Sequence, residues 1–125
     1  MSKTILIIDD DPAVLKSYGR LLERLGHPIR LLGDVNEARL DPGVLEDVDL
    51  LILDQKMPVL CGLDLLTVLL RRVVEGGSAP KVLLISAFLS DDLRARAARL
   101  GVSEVLEKPI DPDRLLRAVR SSLTG

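Results

Sequence analysis

The stretch Leu50-Leu51-Ile52-Leu53-Asp54-Gln55-Lys56-Met57-Pro58 decides how the rest of this chain is read. Four aliphatic residues in succession, with no polar alternation, describe a strand buried on both faces, the pattern of a central strand in a parallel sheet. The run ends in a carboxylate. In open parallel sheets ligands bind beyond the carboxyl ends of the strands, so Asp54 stands at the mouth of the expected site. Pro58 stops the strand and biases Met57 toward an extended backbone. Taken alone, an Asp after an apolar run is more often an ordinary turn residue than a catalytic group, so its role depends on how the other strands end.

On the N-terminal side, the same patterning recurs as Ile5-Leu6-Ile7-Ile8, a second fully apolar strand that ends in Asp9-Asp10-Asp11-Pro12. Asp11 at the N-cap with Pro12 in the first turn is a helix start. The helix it opens carries Val14, Leu15, Tyr18, Leu21, Leu22 and Leu25 on one face and stops at Gly26. Asp9 and Asp10 have no such structural task. Adjacent carboxylates repel one another unless a cation sits between them, and hard oxygen ligands of this kind suit magnesium. Ile29 to Leu32 reads as a third strand, placed at or near a sheet edge by its charged Arg30, with His27 a loop residue before it. Asp34 caps a short helix to Leu40, broken by Asp41-Pro42-Gly43.

On the C-terminal side, Gly62 precedes a very apolar helix from Leu63 to about Val74, closed by Gly76-Gly77. Leu63, Leu70 and Val74 widen its apolar stripe into an arc expected to offer a contact surface. Lys81 to Ile85 is the fourth strand and ends in Ser86-Ala87-Phe88. Ser90 caps the next helix, with Leu93, Ala97 and Leu100 facing inward and Arg94, Arg96 and Arg99 outward. Glu104 to Glu107 is the last strand, ending in Lys108-Pro109, and Asp111-Pro112 opens the final helix. The β-α unit thus repeats five times. The expected fold is α/β: a five-stranded, doubly wound parallel sheet with five helices in a three-layer sandwich, one domain over residues 1–125.

Composition sets the bounds. The chain has 125 residues, of which 47% are hydrophobic and 29% charged, so it is neither disordered nor membrane-spanning. No secretory signal opens it. With one cysteine, Cys61, and one histidine it can form neither an internal disulfide nor a zinc cluster, and a reducing cytoplasm is the expected compartment. A net charge of −2 with one Tyr and one Phe gives no support to a nucleic-acid surface.

The strand ends together deliver Asp9, Asp10, Asp54, Ser86 and Lys108 to one edge of one sheet. Carboxylates to hold a metal, a carboxylate nucleophile, and a cation with a hydroxyl to neutralise oxygens suit phosphoryl transfer. These residues also carry a resemblance. The runs Ile-Ile-Asp9-Asp10-Asp-Pro, Leu-Asp54-x-x-Met57-Pro58 with Gly62, Ile-Ser86-Ala87 and Lys108-Pro109 stand in the order and spacing of the response-regulator receiver domain of two-component signalling, and the chain resembles that family over essentially its whole length.

The resemblance implies a flavodoxin-like (CheY-like) fold, Asp54 as phosphoacceptor, and Mg2+ held by Asp10, by Asp9 through water, by Asp54 and by the backbone carbonyl of Lys56. It further implies Ser86 and Lys108 as partners of the phosphoryl group. The donor would be a sensor histidine kinase or a histidine phosphotransfer protein. The domain would catalyse only its own phosphorylation and dephosphorylation. The alternative is a non-phosphorylated receiver-like interaction module, which would need the loss of a site residue. An external phosphatase of the Asp-x-Asp type is disfavoured because Lys56 stands where its second Asp would be. No DNA-binding or enzymatic segment follows the last helix, which suits a stand-alone receiver or a fragment of something longer.

Three departures from the family pattern matter. Val105 stands where Tyr or Phe is usual, three residues before the lysine; Lys56 and Phe88 occupy the variable flanking positions; and Asp41-Pro42-Gly43 shortens the second helix. Phe88 is expected to shield the phosphoryl group from water. Ser86, Phe88 and Val105 are the expected switch, with the loop 87–89 re-ordering in place of a ring swing at the stiff Val105.

Overall fold

The computed structural model describes residues 3–73 and 77–124. The order is β1 (Ile5–Ile8), α1 (Pro12–Leu22), β2 (Ile29–Leu32), α2 (Val35–Leu40), β3 (Leu50–Asp54), α3 (Gly62–Leu70), β4 (Lys81–Ser86), α4 (Asp91–Arg99), β5 (Glu104–Glu107) and α5 (Pro112–Leu123). All strand pairs are parallel, in the spatial order β2-β1-β3-β4-β5. β2 is an edge strand, as Arg30 implies. The reversal between β1 and β3 is the switch point of a doubly wound sheet, where ligands bind.

The apolar strands are explained by what covers them. Leu6, Ile8, Leu51, Leu53 and Leu84 point to the face packed by α2, α3 and α4, through Val35, Ala38, Leu65, Leu66, Leu69 and Ala97. Ile5, Ile7, Leu50, Ile52, Leu83 and Ile85 point to the other face, under Leu15 and Leu22 of α1 and Leu115 and Val119 of α5. Alternate side chains of one strand thus enter two separate cores, which is why the strands show no polar alternation. Four helices begin as their caps dictate: Asp11, Asp34, Ser90 and Asp111 each accept hydrogen bonds from backbone N–H groups in the first turn. α1 runs on into a short 3-10 turn, Glu23–Leu25, closed by Gly26 at φ 77°. Among the described residues no helix is long and apolar enough to cross a membrane.

Three expectations are corrected. α3 ends at Leu70 rather than near Val74: its last turn tightens, with the Arg72 and Val73 N–H groups donating to the carbonyls three residues back. Val74 and Gly76 lie outside the described residues. Leu63 is fully buried and Leu70 is half-buried against the same core, so the arc expected to form a contact surface is packing. Arg96 does not simply face outward, because its guanidinium donates to Asp64 Oδ1 at 2.7 Å and ties α4 to α3. Both partners are well exposed, so Arg96→Ala is expected to lower stability by less than about 1 kcal/mol, read from urea midpoints. Residues 42–47, where Pro42-Gly43 ends the second helical pattern and the sequence does not say how much of Val44 to Asp47 is helical, form consecutive turns with Val44 buried beneath them.

Candidate functional site: an acidic pocket at the strand ends

β1 and β3 lie side by side with Ile8 opposite Leu53, so the residues that follow them emerge together at one sheet edge. Asp9 and Asp54 are buried, Asp10 is exposed, and an oxygen from each lies within 4.8 Å of the others. They line a pocket of about 370 Å³ with Asp11, Val14, Lys56, Met57, Pro58 and Lys108. The Lys108 ammonium reaches to 2.8 Å from Asp54 Oδ1, a contact of opposite charges that lacks the alignment of a hydrogen bond.

Electrostatics are uneven across the group. Asp9 Oδ1 accepts the Asp11 N–H at 2.9 Å, but its Oδ2 is buried with no donor, and Asp54 Oδ1 has the Lys108 ammonium alone. Burial pushes the Asp9 carboxyl up to about 6; Asp54 and Asp10 add to the rise, while the Asp11 N–H and Lys108 oppose it. For Lys108 burial acts downward, but the neighbouring Asp54 overrides it and holds the ammonium above its ordinary range. A buried Asp9 oxygen without a donor, an Asp54 oxygen met only by Lys108, and a third carboxylate form an all-oxygen set that fits a hard divalent cation such as magnesium.

Backbone hydrogen bonds lock these positions together. The Gln55 N–H donates to the Ile85 carbonyl and the Lys108 N–H to the Ser86 carbonyl, each at 2.8 Å. Sequence reasoning passed over two supports of the site. Gln55 Oε1 accepts the Leu63 N–H at 2.9 Å and so caps α3 from the loop that carries Lys56. Gly62 lies so close that a Cβ there would fall 2.5 Å from the Asp54 carbonyl oxygen. The signal in the sequence was a glycine at a helix start, within the motif quoted with Asp54 and Met57-Pro58.

The remaining expected residues are placed differently. Ser86 is buried, but its Oγ donates to the Phe88 carbonyl at 2.8 Å and accepts the Phe88 N–H, which closes a small turn instead of facing the pocket. That turn directs Phe88 outward: the ring is 84% exposed and does not line the pocket, so in this structure it shields nothing. Val105 is half-buried against the core, opposite Leu84. His27 lies in the loop entering β2, where Nδ1 accepts the Lys3 N–H at 3.1 Å, apart from the acidic pocket.

Comparison with known proteins agrees with this arrangement. Residues 5–120 match the family model described as the response regulator receiver domain. The chain is 35% identical over 122 residues to the transcriptional regulatory protein FixJ of Azorhizobium caulinodans, covering 98% of this chain and 56% of that protein. It is 34% identical to response regulator MprA of Mycobacterium bovis, covering 98% of this chain and 51% of the relative. The chain therefore spans about half the length of the curated relatives it matches. Among solved structures, a CheY-like response regulator receiver domain protein from Methanospirillum hungatei superposes with a TM-score of 0.82 at 26% identity, over 98% of this chain and 94% of the other. The N-terminal domain of an uncharacterized protein from Wolinella succinogenes gives 0.78 at 32% identity, again over 98% and 94%. With the flavodoxin-like sheet, the clustered strand-end aspartates and the matched family model in hand, the chain belongs to the response regulator receiver domain family.

Proposed function

We propose that this chain is a phosphoacceptor receiver of a two-component or phosphorelay system, taking a phosphoryl group from a phosphohistidine donor onto Asp54 and switching conformation to control an output partner. The observation that carries this reading is the Lys108 ammonium 2.8 Å from an oxygen of the buried Asp54. Asp54 attacks the phosphorus, the P–N bond to the donor imidazole breaks, and that bond's electrons stay with the ring. Lys108 offsets charge on the transferred oxygens. Asp9, Asp10, Asp54 and the Lys56 carbonyl would hold Mg2+, which when bound neutralises phosphoryl charge.

Receiver domains are not classical enzymes. The chemistry proposed here is confined to phosphorylation and dephosphorylation of the chain itself, in the cytoplasm, with a sensor histidine kinase or histidine phosphotransfer protein as donor. For Ser86 to reach the phosphoryl group its hydroxyl must leave the Phe88 backbone. The switch we propose is therefore the opening of that turn, with loop 87–89 re-ordering and Val105 nearly still. The test is incubation with acetyl phosphate and magnesium, followed by intact mass. One added phosphoryl group is expected on the wild type and none on Asp54→Asn. A wild type that stays unmodified points instead to a non-phosphorylated interaction module.

A further inference from the structure

The free edge of the sheet is electrically divided. On α1, Gly19 faces Leu31 of β2, where a Cβ would meet the leucine at 3.3 Å. One step further around the helix, at four-residue spacing, Lys16 and Arg20 flank the edge, both exposed. On the opposite face, α2 buries Val35 and Ala38. Asp34 and Asp41, the exposed residues that cap its two ends, and the exposed Glu37 between them make this flank acidic, and the right-handed β2-α2-β3 crossover turns it toward the same edge. Among the described residues none of these five charges forms an ion pair. Glu23 on α1 and Arg30 on β2 temper the division without cancelling it.

Between the two charged flanks lies β2, which hydrogen-bonds only to β1. Its Leu31, on the α1 side, is 47% exposed, one of four large hydrophobic side chains so exposed among the described residues. An edge of four residues carrying Arg30 discourages simple sheet extension. Extension about an axis normal to the sheet would also set α1 against α1.

We propose that this edge is an interface for a second copy of the chain, with a two-fold axis running along β2. That operation exchanges the faces, so Lys16 and Arg20 of each copy meet Asp34, Glu37 and Asp41 of the other, and each Leu31, pointing to its own α1 side, faces the α2 side of its partner. The surface is isologous and self-complementary. It leaves the acidic pocket open, because that pocket lies at the strand ends and not along the edge.

The test uses two charge-reversed forms, Lys16→Glu with Arg20→Glu and Glu37→Lys with Asp41→Lys, none of them residues of the acidic pocket. Self-association of the wild type, measured by sedimentation equilibrium at low salt, is expected to weaken at least about tenfold in each form, because like charges then face each other. An equimolar mixture of the two forms is expected to associate again, since both contacts of the hybrid pair opposite charges. Circular dichroism and acetyl phosphate labelling verify that each form is folded. A wild type that stays monomeric, association that survives either reversal, or a mixture that fails to reassociate would each overturn the proposal.

Discussion

Asp9→Asn is expected to make the metal-free protein more stable, by about 2–3 kcal/mol near neutral pH. Asn keeps an oxygen for the Asp11 N–H and removes a charge that is 2% exposed and has one oxygen without a donor. The folded carboxyl titrates at about 6 against an ordinary 3.8, so the protonated form is the one that folding favours. A group shifted this way contributes stability that is fully present below the unfolded value and is lost as pH rises through the folded one. The advantage of Asn should therefore shrink on acidification, to about 1 kcal/mol near pH 4.5. Urea midpoints in EDTA across this range check it. Saturating magnesium should offset the advantage by stabilising the wild type, about 2.7 kcal/mol at one hundred times its dissociation constant. Asp10→Asn should forfeit most of that gain. If Asp9→Asn is less stable than wild type in EDTA at neutral pH, the carboxylate is not the burden its surroundings suggest.

Gly62→Ala is expected to cost about 3 kcal/mol or more, an overpacking penalty at the upper end of its range. The added methyl would stand 2.5 Å from the Asp54 carbonyl oxygen and 3.0 Å from the Gln55 Cα, and both are backbone atoms that cannot step aside alone. Relief must come from moving α3 or the loop after β3, so labelling of Asp54 by acetyl phosphate should slow as well. Gly43→Ala is the control. Its methyl would meet the Glu46 carboxylate at 3.3 Å, the end of a flexible side chain, and should change stability by less than about 1 kcal/mol. Equal midpoints for the two variants would show that the contact at Gly62 is not tight.

β1, β3 and β4 were legible because burial on both faces leaves a mark in the sequence: four aliphatic residues that stop at a charged or hydroxyl side chain. The same logic carried Asp9, Asp10, Asp54 and Lys108 to one edge, since register between parallel strands places their ends together. What escaped depends on side-chain torsions and on close approach. Nothing in Ser86-Ala87-Phe88 says that the hydroxyl folds back on the next turn and sends the ring outward. Leu63 looked like surplus surface because helical periodicity cannot tell how deeply a helix sinks between its neighbours. Gln55 went unread and Gly62, though part of the motif, was given no physical role, because their roles are set by a contact eight residues away in the chain and by the space beside one carbonyl.

The bonds from Gln55 to Ile85 and from Lys108 to Ser86 run from main chain to main chain across β3, β4 and β5. The spacing of the groups in the acidic pocket is therefore a property of the peptide lattice, whose neighbouring strands lie about 4.8 Å apart whatever side chains they carry. The sheet acts as a ruler and the sequence only has to write a few letters at its graduations. Helices can drift, exchange partners and acquire new surfaces while the ruler keeps its scale, so chains sharing about a third of their residues can hold the same strand ends at the same separations.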